Sequence, residues 1–379
     1  MAEPQRICVV GPGTQFLSGV TYYTYSLTAA LERAGYRTSA ILIRSLVPKR
    51  LYPGRARVGK DLTGLRLPTD VRHVDGIDWY WGWSLILALR LLWTERPEIL
   101  VLQWWTGAVL HTYLFLSIAA RMLGAEVVIE FHEAQDVGEA ELPFVARYMN
   151  LFGRWLLRLS AAQIAHSQFD RDLIRSRYRL NGGVALVPHA GYDYLPVRRP
   201  IRCAPPGAIN ILYFGVIRPF KGVEDLVRAF DALSSGEGRF WLTVVGETWE
   251  GWDLPSRLIV ASLHSDRITF VNRYVTDDEA AGHFAGADVV VLPYHRSSSS
   301  GPLQIAMSKG LPVVVAKVGG LVEATARYSG AVLVEPDDPA SLAEGIRRAS
   351  VFVGRHFDGV SSWADTAQGY SDVFNGIGR

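Results

Sequence analysis

Cysteine is scarce in this chain: among 379 residues only Cys8 and Cys203 carry a thiol. Cys8 lies in the apolar run Ile7-Cys8-Val9-Val10, which reads as a buried strand. No disulfide framework is indicated, and a reducing, cytoplasmic setting is expected. An excess of one charge is also missing. Lys and Arg total 39 against 37 Asp and Glu, a formal net charge of +2, which gives nucleic acid no electrostatic footprint to bind. Long hydrophobic runs are absent as well. A membrane span needs roughly 20 consecutive apolar residues; the nearest candidate, Trp79 to Trp93, is shorter and carries Asp78 and Arg90 at or near its ends. It reads as a buried or interfacial helix. The opening Met1-Ala2-Glu3-Pro4-Gln5-Arg6 lacks the apolar core and small-residue cleavage site of a signal peptide. The composition is 49% hydrophobic and 20% charged, so a sizeable core is available, and the length exceeds what one core comfortably supports. Two domains are expected.

Strand and helix patterns alternate along the chain. Arg6 to Gly11 is a short apolar run ending in glycine, and Val20 to Arg33 has a helical pattern stopped by Gly35. Strands are expected at Thr38 to Ile43, Ile99 to Leu102, Glu126 to Phe131 and Gln163 to Ala165, with helices over Ala108 to Leu123 and Pro143 to Leu159. Tyr194 to Asn210 then breaks the rhythm with Pro196, Pro200, Pro205 and Pro206 and no apolar period, as a linker does. The alternation restarts at Asn210 to Phe214 and continues through apolar runs at Phe240, Ile268, Val289, Val313 and Ala331, with helical patterns between them. The tail from Ser362 to Phe374 is again helical. Strand and helix in strict turn imply parallel sheets covered on both faces, with ligands at the carboxyl ends of the strands.

The segment richest in chemistry is Ile211-Leu212-Tyr213-Phe214-Gly215-Val216-Ile217-Arg218-Pro219-Phe220-Lys221-Gly222. A strand delivers Gly215, a loop carries two cations, and a helix begins near Val223. Cations beside a helix N-terminus make a receptor for a diphosphate. They also oppose negative charge growing on a departing nucleoside diphosphate. Downstream, Ser297-Ser298-Ser299-Ser300-Gly301-Pro302 precedes another helix, and Gly301 permits close backbone approach at its N-terminus.

Phe214-Gly215, Arg218 and Lys221-Gly222 before an amphipathic helix resemble the donor-site signature of family 4 retaining glycosyltransferases, whose fold is the two-lobed GT-B type. The likeness runs through most of the chain. Leu17-Ser18-Gly19-Val20 with its helix is similar to that family's first loop and helix, and Val187-Pro188-His189-Ala190-Gly191 to the turn closing its N-terminal lobe. Val244-Val245-Gly246-Glu247, Phe270 to Val275 and Ala287 to Tyr294 follow its second half in order, as does Ala306-Met307 through Gly319-Gly320.

The resemblance implies an α/β fold of two Rossmann-like domains facing a cleft. Residues 1–197 would form an acceptor-binding domain, with a helix over 362–379 packing back on it, and 207–361 a donor-binding domain. It implies a hexosyltransferase-like enzyme of glycan biosynthesis, with catalytic roles for His132, Arg218 and Lys221. Donor contacts would come from Gly19, Gly215, Arg218, Lys221, Gly246, Glu247, Tyr274, Val275, Ser300, Gly301, Pro302 and Leu303. A nucleoside-diphosphate sugar is the implied donor, with no metal and no other cofactor.

One corner departs from the pattern. Many members carry a pair of glutamates, one on the sugar and one on the ribose. The matching positions here are Ser297 and Ile305, which resembles a subset with a Ser-Gly turn. Gln304 and Glu323 are candidate polar replacements. On the first lobe Glu133 and Asp136 are carboxylates near His132, equally readable as caps or loop charges.

The stretch Arg44 to Lys60 holds Arg44, Lys49, Arg50, Arg55, Arg57 and Lys60, and aromatics follow at Trp79, Tyr80, Trp81, Trp83, Trp93, Trp104 and Trp105. These fit a lipid-linked or phosphorylated acceptor, or a peripheral contact with the inner face of a membrane. They equally fit a core and solvated loop charges. Two other functions share the fold: a sugar-nucleotide epimerase and a non-catalytic sugar-nucleotide-binding subunit. Gly11-Pro12-Gly13 lacks the further glycine and the acid of a nicotinamide loop.

Overall fold

A computed structural model describes residues 3–16, 18–45, 63–78, 82–133, 143–180, 182–236, 238–249 and 251–377. The chain divides into two compact units. One comprises Met1–Asp61, Leu65–Ala190 and Ser361–Arg379, and the other Leu62–Gly64 and Gly191–Val360.

The first unit is built on β1 (Arg6–Pro12), α1 (Gly19–Arg33), β2 (Arg37–Ser45), β3 (Arg72–Asp78), α2 (Gly82–Glu95), β4 (Ile99–Trp104), α3 (Leu110–Met122), β5 (Glu126–Phe131), α4 (Pro143–Leu159), β6 (Ala162–Ala165), α5 (Gln168–Tyr178) and β7 (Val184–Leu186). The strands lie in the order β3-β2-β1-β4-β5-β6-β7, all parallel. Ile7 to Val10 and Ile99 to Leu102 are buried throughout, because both faces of these central strands are covered. Cys8, Leu100, Val127 and Ile129 pack on one face against Leu85, Leu92, Leu116, Leu156 and Ile174 from the four helices α2 to α5. Ala40 and Leu42 instead pack with Tyr25 and Val71. Arg179, at φ 54, ends α5 in the left-handed conformation.

The second unit repeats the plan with β8 (Ile209–Phe214), α6 (Val223–Gly236), β9 (Phe240–Val245), α7 (Leu254–Ala261), β10 (Ile268–Val271), α8 (Asp277–Ala285), β11 (Val289–Leu292), α9 (Gly301–Ser308), β12 (Val313–Ala316), α10 (Leu321–Thr325), β13 (Ala331–Val334) and α11 (Pro339–Ala349). Its order is β10-β9-β8-β11-β12-β13, again with parallel pairing. Local chemistry starts its helices. Thr276 and Glu279 close a capping box on α8, and Asp338 accepts from the backbone N–H groups of Ala340 and Ser341 ahead of α11. Each sheet is doubly wound, and each reverses strand order once, between β1 and β4 and between β8 and β11.

Helix α12 (Trp363–Ile377) belongs to the first unit. It meets α1; the Tyr36 hydroxyl donates to Ser371 Oγ at 2.8 Å, and Thr366 Oγ1 donates to the Pro188 carbonyl at 2.7 Å. The proline-rich segment read as a linker is tied to the second unit. The Ile201 N–H donates to the Gly282 carbonyl at 2.8 Å, and Arg202 pairs with Asp288 at 2.7 Å. Trp104 and Trp105, read with the acceptor-side aromatics, are corrected to core: both are buried, where they pack on Phe131, Phe16 and Tyr113. Trp79, Tyr80, Trp81 and Asp136 lie outside the described residues, as does the basic run beyond Arg44, and Arg44 itself pairs with Asp78.

A candidate donor site and a buried carboxylate–histidine cluster

In the second unit the loops after β8 and β9 are zipped together at the carboxyl edge of the sheet. The Ile217 N–H donates to the Glu247 carbonyl at 2.9 Å, and the Trp249 N–H returns to the Ile217 carbonyl at 2.8 Å. Gly246 makes this approach feasible. At φ 154, a Cβ there would stand 1.9 Å from the Gly215 carbonyl oxygen, so no side chain fits. Thr248 is held in turn by Asn272, whose Oδ1 accepts from its N–H at 2.9 Å and from its hydroxyl at 2.8 Å.

The β8 loop also touches the strand across the switch point. The His295 N–H, just past β11, donates to the Phe220 carbonyl at 2.9 Å. Gly222 sits at φ 62, where a Cβ would lie 1.9 Å from the Pro293 carbonyl oxygen. His295 Nε2 stands 2.7 Å from Asp225 Oδ2 and 3.2 Å from Asp337 Oδ1, tying the loop to the first turn of α6.

Aromatic rings position both cations of the loop. Arg218 stacks over Trp249 with its guanidinium carbon 4.0 Å from the ring centroid, and Lys221 Nζ lies 3.6 Å from the centroid of Tyr294. The buried Tyr294 hydroxyl is 3.4 Å from Ser300 Oγ. Ser300 caps α9 by accepting from the Leu303 N–H at 3.3 Å, with Pro302 in the first turn. Arg218, Lys221, Gly215, Gly246, Glu247 and the Ser300-Gly301-Pro302-Leu303 turn therefore gather on adjacent loops. Gly215 would meet Pro302 at 3.4 Å if it carried a Cβ. Tyr274 and Val275 lie just beyond β10, where Val275 is buried. Neighbouring Arg273 is spent on a two-pronged pair with Glu279, 3.0 Å on one arm and 2.5 Å on the other. That hydrogen bond holds the Glu279 carboxyl down at about 2.

At the departing corner Ile305 is buried and Ser297 Oγ donates to the Ser299 carbonyl at 2.7 Å. Gln304 is buried in the first turn of α9, whereas Glu323 is exposed.

In the first unit, Gly19 opens α1 with open space where a Cβ would be. His132 follows β5 and is buried. Its Nε2 is 2.5 Å from Gln103 Oε1, and Gln103 Nε2 donates to Glu130. An amide that donates to a carboxylate turns its oxygen to the imidazole, so the His132 proton sits on Nε2. Glu130 is fully buried and accepts from the Tyr23 hydroxyl at 2.7 Å, with His166 Nε2 at 3.3 Å. Burial pushes its carboxyl up, but the neighbouring His132 and His166 imidazoles outweigh this and bring it to about 2. His166 is lowered mainly by burial, and His189 falls to about 3 through burial and its neighbouring imidazoles. Tyr23 packs edge-on against His132, near His189 and Trp363.

Sequence reading singled out His132 alone in this cluster. Tyr23, Gln103, Glu130, His166 and His189 sit on separate elements, and no spacing unites them. Among the described residues two groups bring ligand atoms within 4.8 Å: Glu130, His132 and His166, and Asp225, His295 and Asp337. In both, the carboxylates already accept from protein donors.

Residues 18–190 match the family described as Glycosyl transferase 4-like domain, and residues 208–350 match that described as Glycosyl transferases group 1. Among curated relatives, a D-inositol 3-phosphate glycosyltransferase of Salinispora arenicola is 33% identical over 43% of this chain and 40% of that protein. A glycogen synthase of Mycobacterium tuberculosis is 27% identical over 87% of this chain and 82% of that protein. The first of these matches thus spans less than half of the relative's length. Among solved structures, sucrose-phosphate synthase of Thermosynechococcus elongatus gives a TM-score of 0.66 at 18% identity, covering 98% of this chain and 99% of that one. The catalytic domain of starch synthase IV of Arabidopsis thaliana, bound to ADP and acarbose, gives 0.68 at 13% identity over 100% of both chains. At such identities the likeness is one of fold. Two doubly wound parallel sheets with a cationic loop at the second switch point define a GT-B glycosyltransferase architecture. This chain belongs to family 4 of the GT-B glycosyltransferases.

Proposed function

We propose that this protein moves a sugar from a nucleoside-diphosphate sugar to an acceptor hydroxyl with retention of anomeric configuration. The observation that carries the reading is the meeting of the Arg218–Lys221 loop with the capped N-terminus of α9 at the switch point of the second sheet. Two fixed cations and a row of backbone N–H groups suit a diphosphate. In the reaction the bond from the anomeric carbon to the diphosphate breaks and the acceptor oxygen bonds to that carbon. The acceptor proton passes to the departing diphosphate. Arg218 and Lys221 oppose the charge that builds there, which supplies the role a divalent cation would otherwise fill. To His132, whose Nε2 proton is held by Gln103, this reading assigns the role toward the transferred sugar that the family resemblance implies. The basic run Arg44 to Lys60 favours a phosphorylated or lipid-linked acceptor.

The test is nucleoside-diphosphate release from a panel of nucleoside-diphosphate sugars, with binding measured in parallel by calorimetry. Lys221→Ala should weaken donor binding and cut turnover about a hundredfold or more. Unchanged kinetics would remove the donor site from this loop. Donor binding with no hydrolysis or transfer across a broad acceptor panel would instead assign the protein as a non-catalytic binding subunit.

A further inference from the structure

Three of the four helices covering one face of the first sheet, α2 to α4, are apolar on both sides. In α2 the inward stripe is Leu85, Ala88, Leu91 and Leu92, as a covering helix requires. The outward stripe is Trp83, Ile86, Leu87, Arg90 and Trp93, with Trp83 81% and Trp93 62% exposed. Next to it, α3 turns Phe115, Ile118 and Met122 outward. Beside that, α4 exposes Leu151 and Trp155, the latter at 55%, together with Arg147, Arg154 and Arg158. Neighbour contacts run from α2 to α3 and from α3 to α4, and all three pack on the same side of the sheet, so the exposed residues share one face.

Its charge is of one sign. The three helices contain a single acidic residue, Glu95, which is buried against Arg37 and Arg72. Every exposed charge on them is an arginine; Arg121 pairs with Glu126 beyond the helix. Arg96, just past α2, lies 4.2 Å over the Trp93 ring.

We infer that this three-helix face docks the protein on the surface of an anionic lipid bilayer. Three outward tryptophans among aliphatic side chains match the boundary between headgroups and acyl chains, and the arginines match lipid phosphates. Among the described residues no helix is long and apolar enough to cross a membrane, so the face lies on the bilayer. A second copy of this chain is a poorer occupant, since a two-fold contact sets the arginine-bearing face against itself. The inference gives a location to the acceptor of the transferase reading, but vesicle binding needs no donor and either can fail alone.

The experiment is co-sedimentation of the full chain with vesicles of phosphatidylcholine mixed with phosphatidylglycerol, against phosphatidylcholine alone. Expected are binding to the mixed vesicles, loss of binding as salt rises, and quenching of tryptophan emission by brominated acyl chains. The combined Trp83→Ser, Trp93→Ser and Trp155→Ser variant should partition at least about tenfold less. Should that variant lose its thermal transition, Arg154→Gln and Arg158→Gln decide the matter, each lowering partitioning about fivefold. Lys221→Ala should bind vesicles as the unaltered protein does. Absence of binding to mixed vesicles at low salt overturns the inference, and so does equal partitioning of well-folded face variants. A concentration-dependent dimer that dissociates in the tryptophan variant would give the face to a second copy instead.

Discussion

Lys221 Nζ stands 3.6 Å from the centroid of the Tyr294 ring, and the hydroxyl of that ring reaches toward the serine capping the next helix. One side chain thus links the Lys221 ammonium to the serine that caps α9. The ring places the ammonium through its electron-rich face. Tyr294→Leu should weaken nucleoside-diphosphate binding by about 0.5 to 2 kcal/mol, read by calorimetry. Tyr294→Phe, which keeps the ring, should leave affinity nearly unchanged.

Gly246 predicts a sharper break. A methyl group there meets the Gly215 carbonyl at 1.9 Å from a backbone at φ 154. Gly246→Ala should cost about 1 to 3 kcal/mol of stability and abolish donor binding, because the β8 and β9 loops must part. Denaturant titration and calorimetry on the same preparation check both effects.

The His295–Asp225 contact acts on the Lys221 loop from below. His295→Ala removes that tie while leaving both cations in place. Donor affinity should fall about tenfold, equivalent to about 1.4 kcal/mol, with a smaller change in turnover of the bound donor. A variant with unaltered KM and a lowered kcat would contradict a positioning role.

Acid should destabilise the first unit in two stages. His189 is lowered from 6.5 to about 3 and His166 is lowered in the same direction. Below about pH 6.5 the unfolded chain therefore takes up protons that the folded chain refuses, and stability falls with pH by up to about 1.4 kcal/mol per unit per histidine. Glu130 is depressed from 4.5 to about 2, so its contribution is present above 4.5 and is lost between 4.5 and 2. Urea midpoints measured from pH 7 downward should drop, and His189→Gln should flatten the first stage.

Most strands were legible because parallel strands buried on both faces are continuous apolar runs. Leu100 to Leu102 and Val289 to Leu292 could hardly be anything else. Strand β3 was missed, since Arg72-His73-Val74-Asp75 is polar, as an edge strand with exposed outer residues can be. Helix α5 was missed too: its mean character is polar, and only Asp170, Ile174 and Tyr178 turn inward. At the site, Arg218 and Lys221 were readable because a strand-Gly-loop-helix sequence is local. The rings that hold them, Trp249 and Tyr294, come from other strands, and nothing in linear order couples them to the cations. The same holds for Glu130, whose partners arrive from α1, β4 and the turns after β6 and β7. Tryptophan gave the opposite error. Trp83 and Trp105 were read together as acceptor-side aromatics, yet one faces outward and the other is core.

The placement of α12 has a consequence for biosynthesis. Tyr23 and Tyr36, near the start of the chain, complete their packing only with Trp363, Phe374 and Ser371, and the whole second unit is translated between them. A ribosome therefore releases a self-contained second unit while the first still exposes the apolar surface of α1. The N-terminal half waits, open to chaperones and proteases, for a helix made after the second unit.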